Sequence, residues 1–152
     1  MVYFAQATLR FDGSCNPNPG EGGSGYEIFE SNESTIVEGQ FYVGNSCTNN
    51  VAEYFGLIAG LKRLRDSPHE IGHLDIEGDS ELVINQLKRI YDVKSRRLKP
   101  LLRQARALIK KSRGKDFQSC SYSHIDRRYN ENADRLANAA RYEKQDWSED
   151  KY

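Results

Sequence analysis

Residues Tyr3 to Phe11 alternate in character: Tyr3, Ala5, Ala7, Leu9 and Phe11 are apolar, whereas Gln6, Thr8 and Arg10 are polar. A period of two sends successive side chains to opposite faces, which predicts a half-buried strand. The stretch from Gly13 to Gly20, with Pro17 and Pro19, carries turn chemistry that ends it. Two further strands are expected near Gly25–Glu30 and Ile36–Val43, separated by the turn-like Ser31–Ser34. Their short connections imply an antiparallel meander. The period then lengthens. Thr48, Asn49 and Asn50 offer capping side chains, and Val51 to Leu64 sets Tyr54, Leu57, Ile58, Leu61 and Leu64 on one helical face. His73–Glu77 reads as a short strand, followed by a helix through Leu82, Val83, Ile84, Leu87 and Ile90. Pro100 suits the first turn of another helix, carrying Leu101, Leu102, Ala105, Leu108 and Ile109. Phe117–Ile125 is a last strand, and Asn130 is expected to cap a final helix containing Ala133, Leu136, Ala137 and Ala140.

The predicted order is β-β-β-α-β-α-α-β-α, an α/β fold with a mixed five-stranded sheet flanked by helices. A chain of 152 residues suits one domain, here residues 1–142, with a polar tail over 143–152 that is expected to fray. Hydrophobic residues make up 38% and charged residues 29%, values of a globular protein and not of a disordered one. The opening residues lack the basic and apolar regions of a signal peptide, and no apolar run is long enough for a membrane helix. Cys15, Cys47 and Cys120 are odd in number and follow no metal-binding spacing, so they are expected to be reduced thiols in a cytoplasmic protein. The net charge of zero conceals a segregation. Twelve basic residues lie between Lys88 and Lys115 against the single acid Asp92. This is either a pair of solvated helix faces or a surface for a polyanion.

Four acids fall where strands end or helices begin, the edge at which open α/β sheets place their sites. Asp12 ends the first strand, Glu53 lies in the opening turns of the first helix, Asp79 joins the fourth strand to its helix, and Asp134 lies near the start of the last helix. Ordinary roles exist for three of them: Asp79 and Asp134 suit helix N-termini, and Asp12 suits a turn. Glu53, set among Val51, Ala52, Tyr54 and Phe55, needs a partner to offset its desolvation. Converging carboxylates repel, and a pair of Mg²⁺ ions relieves that repulsion through oxygen ligation. No Cys/His zinc set, Walker phosphate loop or GxSxG elbow offers another chemistry. The residues alone thus point to metal-assisted phosphoryl transfer.

Four strings, FDGSCNPNPGEGGSGYEI, TNNVAEYFGLIAGL, IEGDSELVINQL and HIDRRYNENADRLANAA, resemble the motif blocks of the type 1 ribonuclease H family in order and spacing. Each is weak alone, but together they cover the chain from about Ala5 to Ala140. The resemblance implies the ribonuclease H-like fold and an endonuclease that hydrolyses the RNA strand of RNA/DNA hybrids, leaving 5′-phosphate and 3′-hydroxyl ends. It implies Asp12, Glu53, Asp79 and Asp134 as ligands of two Mg²⁺, with Mn²⁺ a possible substitute. One ion would activate the attacking water and the other would stabilise the leaving oxygen. It also implies hybrid contacts at Gly13, Ser14, Cys15 and Asn50, and a phosphate of the DNA strand held by Asn18 and Thr48.

Three positions depart from the family pattern. Glu81 stands where Gln is common, and it cannot donate to a base or ribose, so altered substrate contact is expected. The basic handle of many members is absent, as in compact members of the family. Lys94, Arg96, Arg97 and Lys99 could make the phosphate contacts instead. His124, ten residues before Asp134, is placed slightly ahead of Arg127 as the group assisting proton transfer or product release, and a purely structural role remains for both. His69 and His73 are assigned nothing. The competing readings are a non-catalytic hybrid-binding module, another nuclease on the same fold, and activity on double-stranded RNA as well. No feature demands a partner protein, and a monomer is expected.

Overall fold

A computed structural model describes residues 2–152, and its element order follows the hydrophobic periodicity with one addition. Strands β1 (Tyr3–Asn16), β2 (Gly20–Glu30) and β3 (Thr35–Cys47) form the antiparallel meander. Helix α1 (Asn49–Asp66) leads to β4 (Glu70–Gly78), α2 (Glu81–Leu87) and α3 (Leu98–Ser112). Strand β5 (Phe117–His124), a 3₁₀ turn at Arg127–Tyr129 and helix α4 (Glu131–Glu143) follow. The addition is β6 (Trp147–Asp150), so the sheet has six strands in the order β5-β4-β1-β2-β3-β6.

β1 is central and mixed in its pairing: antiparallel to β2 and parallel to β4, which is in turn parallel to β5. The pairing of Phe11 with Gly78 is the last of the β1–β4 ladder, so Asp12, still paired with Gly25 of β2, stands beside Asp79 just past the end of β4. The sheet is covered on both faces. Ser24 donates from Oγ to the Ala52 carbonyl of α1 at 2.6 Å, whereas its neighbours Gly23 and Gly25 lie directly beneath α4. Leu9, Phe11, Ile28, Ile36, Leu74 and Ile76 from the strands and Tyr54, Leu57, Leu61 and Leu64 from α1 are fully buried. Each large side chain removed from water in this way contributes about 1.5–3 kcal/mol against the entropy of ordering the chain.

The structure corrects several expectations. The tail does not fray: Trp147–Asp150 pairs with Val37–Gln40, and buried His69 approaches Asp150 Oδ2 at 2.9 Å through Nε2. A four-residue polar strand lacks the alternation that would announce it, yet β3 has an open edge to receive it. β1 runs on through Gly13 to Asn16, because its ladder with β2 continues until Asn16 faces Glu21 and only residues 17–19 turn. Helix α2 stops at Leu87, not Ile90: Arg89 takes left-handed backbone with φ 65°, leaving Ile90 and Tyr91 exposed. Asn130 precedes α4 without capping it by its side chain; Nδ2 donates instead to the Phe11 carbonyl at 2.9 Å. Cys15 and Cys47, expected as reduced thiols, form a disulfide, because the strand between them carries Gly22 and leaves room for two sulfurs to meet. Cys120 is free.

Replacing Asp150 by Ala strands a buried imidazole nitrogen, at a cost of about 1–3 kcal/mol. A fall of roughly 2–10 °C in thermal midpoint, read by calorimetry, is the expected result. An unchanged midpoint would mean that the His69–Asp150 contact adds nothing to the stability of the fold.

Candidate active site

Sheet and helices bring four acids to one cleft of about 410 Å³, lined by Asp12, Gly13, Ser14, Cys15, Asn49, Glu53, Asp79, Ser80, Arg127 and Asp134. Asp12 arrives on β1, and Asp79 follows β4. Thr48 opens α1 by accepting from the Val51 N–H at Oγ1, 3.4 Å, which sets Glu53 on the second turn. Gly13 permits the approach: a Cβ there would overlap the backbone of Ala52 and Glu53. Asp134 comes from the first turn of α4, whose start is tied to β1 by the Asn130–Phe11 bond.

Carboxylate oxygens of Asp12, Glu53 and Asp79 can all lie within 4.8 Å of one another. Asp12 and Glu53 are buried, and Glu53 Oε2 has no hydrogen-bond partner. Burial, then the charge of Asp79, pushes the Asp12 carboxyl up to about 7, against lowering contacts from Glu53 and from the Gly13 N–H, which donates at 2.9 Å. Burial raises Glu53 well above the ordinary carboxylate range, and the charges of Asp12 and Asp79 push it the same way. Burial raises Asp79 as well; the Asn130 amide and the Arg127 charge oppose this, while Asp134 reinforces it.

Such a set fits hard divalent cations. Its donors are all oxygen, one of them buried without a partner, and the charge repulsion that burial sharpens is what a bound cation removes.

The other candidates divide. Ser14 Oγ donates to Asn138 Oδ1 of α4 at 2.9 Å, so part of its capacity is already used. Asn18, Thr48, Asn50 and Arg97 line a second hollow beside the cleft. Arg97 Nη2 also donates to the Ser46 carbonyl at 3.0 Å. Lys99 lines a third hollow with Arg89, Arg103 and Arg106, whereas Lys94 and Arg96 are exposed between α2 and α3 and line none of these three. Glu81 is exposed at the head of α2 and accepts from the Tyr91 hydroxyl at 3.4 Å. Arg127 lines the cleft; His124 stands at its margin, with Nε2 3.2 Å from the Asp79 carbonyl.

Sequence reasoning missed Asn49, which joins the two hollows: Oδ1 accepts from the Cys15 N–H at 3.1 Å and its own N–H donates to Asn18 Oδ1 at 3.1 Å. Its place between Thr48 and Asn50 was the available signal. Ser80 was missed too; its Oγ accepts from the Val83 N–H at 3.2 Å and caps α2.

The family model described as reverse transcriptase-like matches residues 10–140. Ribonuclease HI of Halobacterium salinarum is 35% identical over 130 residues, 86% of this chain, and this chain spans 61% of that relative's length. The solved RNase H1 of the same archaeon superposes with a TM-score of 0.80 at 31% identity, covering 92% of this chain and 99% of that one. An RNase H1 termed LC11, solved in complex with an RNA/DNA hybrid, superposes with a TM-score of 0.73 at 31% identity, covering 91% and 98%. Matched family model, sequence relatives and solved folds agree over most of the chain, which belongs to the ribonuclease H family.

Proposed function

We propose that this protein is a ribonuclease H, an endonuclease that hydrolyses the RNA strand of RNA/DNA hybrids with two divalent cations and leaves 5′-phosphate and 3′-hydroxyl ends. The convergence of Asp12, Glu53, Asp79 and Asp134 on one cleft carries the reading. A site built only to bind a polyanion gains nothing from four acids facing it. The hybrid-bound relative supports the choice of substrate. Mg²⁺ is the proposed metal and Mn²⁺ a substitute, and the protein is taken to act as a monomer in the cytoplasm.

Asp12, Glu53, Asp79 and Asp134 would hold the cations. When bound, cations of this kind supply charge neutralisation at the scissile phosphate and activation of the attacking water. The chain's own groups do the rest. Gly13, Ser14 and Cys15 line the cleft and Asn50 the hollow beside it, where the RNA strand would lie, and 2′-hydroxyl contacts there would separate RNA from DNA. Asn18 and Thr48 would hold a phosphate of the DNA strand, and Lys94, Arg96, Arg97 and Lys99 would meet the duplex backbone beyond it. Glu81 would face that backbone with like charge and weaken contact locally. His124 would hold or pass a proton beside Asp79, with Arg127 the alternative.

Cleavage of an end-labelled hybrid with Mg²⁺ tests the reading, alongside single-stranded RNA, double-stranded RNA and duplex DNA. Hybrid-selective cutting is expected, abolished by EDTA and reduced about 100-fold or more by Asp79→Asn. Hybrid binding without cutting in Mg²⁺ or Mn²⁺ would reject it in favour of a binding module. His124→Ala should lower kcat about tenfold or more at nearly constant KM, and an unaltered rate would move the role to Arg127.

Linkage gives a second test. The Asp12 carboxyl is raised from 3.8 to about 7 on folding, so its contribution to stability is fully present below pH 3.8 and is lost as pH rises through about 7. Without divalent cations the thermal midpoint should therefore fall between about pH 4 and pH 8, and added Mg²⁺ should restore more at the upper end than the lower. Asp12→Asn should raise the metal-free midpoint near pH 8 and blunt the Mg²⁺ response. A Mg²⁺ response equal at both ends would contradict the assignment of Asp12 as a ligand.

A further inference from the structure

Cys15 and Cys47 belong to strands that are not neighbours: β2 lies between β1 and β3. In a flat sheet two strands so placed stand roughly 9–10 Å apart. Here the Cα atoms of the two cysteines are 6.4 Å apart. The β2–β3 ladder slips in register between Gly20 and Gly23, so the strand ends curl toward each other over β2. Gly22 lies beneath the bond, and a Cβ at that position would overlap both sulfurs. The bridge therefore needs a bent ladder and a residue without a side chain at one position, and both are present.

It also sits at the proposed substrate edge. Cys15 lines the carboxylate cleft, and Cys47 precedes Thr48, which lines the neighbouring hollow with Asn18 and Asn50. Besides the disulfide, the Cys15–Asn18 segment and the start of α1 are joined by two exposed hydrogen bonds through Asn49. Exposed bonds of that kind hold segments weakly, so the covalent link dominates their relative position.

We propose that the Cys15–Cys47 disulfide is a thiol-sensitive clamp on the hybrid-binding edge, holding the two segments together when oxidised and loosening hybrid binding when reduced. The inference rests on the reading of this cleft as a hybrid site. A dithiol is the reductant. Its thiolate attacks Cys15 Sγ, on the less buried of the two cysteines, and the S–S bond breaks with its electron pair passing to Cys47 Sγ, which takes up a proton. The second thiol of the reductant then attacks the mixed disulfide, leaving Cys15 as a thiol and the reductant as a cyclic disulfide; two electrons and two protons are transferred. The reduced state has a place for the new proton, because the Thr48 carbonyl stands 3.3 Å from Cys47 Sγ. Cys120, on β5 at the far side of the sheet, takes no part.

The test measures accessible thiols, hybrid cleavage and hybrid binding on the full chain, before and after dithiothreitol. Maleimide labelling of the unfolded protein should count one thiol before reduction and three after, as one bridge among three cysteines requires. Reduction should raise KM for the hybrid about three- to tenfold, the loss expected when a preorganised loop is freed, with kcat within about twofold. Cys47→Ala and Cys47→Ser should both show the reduced KM and ignore the reductant, whereas Cys120→Ser should respond as the parent does. Circular dichroism of each variant separates this effect from loss of fold. Three thiols before reduction, or a KM indifferent to the redox state, would overturn the clamp. If neither state cuts, fluorescence anisotropy of a labelled hybrid decides. Binding that weakens on reduction would sustain the clamp while the cleavage reading fails, and binding that is absent or unaltered would overturn the clamp as well.

Discussion

The repulsion among carboxylates gathered where the parallel β1–β4 ladder ends is the constraint around which this molecule is arranged. Asp12 and Asp79 are level because β1 and β4 run in parallel with Phe11 facing Gly78. Glu53 is added from a helix that can come this close only because Gly13 presents no side chain. Left to itself, the fold would favour pushing these groups apart or protonating them. That it holds them together against this cost means that the surrounding packing over-determines their positions. The buried faces of α1 and β1 supply that packing.

Two polar anchors translate the packing into position. Asn130 gives up the capping role its place suggests and binds the Phe11 carbonyl, so that α4 is registered against the residue preceding Asp12. Asn49 does the corresponding work on the other side, bridging the β1–β2 turn and the start of α1. Asn130 donates its side-chain amide to a backbone carbonyl, whereas Asn49 accepts a backbone N–H at its side-chain oxygen, each using one half of the amide. Asp12, Glu53 and Asp134 sit on regular elements and Asp79 on the bend after β4, while Asn18, Thr48 and Asn50 sit on a turn and at the start of a helix.

Much of this was legible in the amino-acid sequence, for physical reasons. The change from a period of two to one of 3.6 located β1, α1 and α4, and the junctions between periods are where Asp12, Glu53, Asp79 and Asp134 stand. What escaped lacks a local pattern. Trp147–Asp150 is polar and short, and it becomes a strand only because β3 has an unpaired edge waiting for it. The Cys15–Cys47 bond depends on two non-adjacent strands bending over Gly22, which no spacing of cysteines announces. The early end of α2 turns on a single left-handed residue, Arg89, whose side chain gives no warning of it. Asn130 carried a correct positional signal and a wrong partner, since a cap and a cross-element bond demand the same residue type.

The sixth strand has a consequence for the behaviour of the protein among copies of itself. A long outer strand offers a row of unpaired N–H and carbonyl groups on which another chain can crystallise into a continuous sheet. β3 is thirteen residues long and would be such a template; β6 occupies part of that row with four residues and then ends. Its own outer rim is brief and carries exposed Glu149, with Lys151 just beyond. An incoming strand would find few groups to pair with and charge already in its path. Residues 147–150 thus shorten the open edge on the β3 side of the sheet, a colloidal effect that owes nothing to the cleft and would be noticed mainly as the concentration rises.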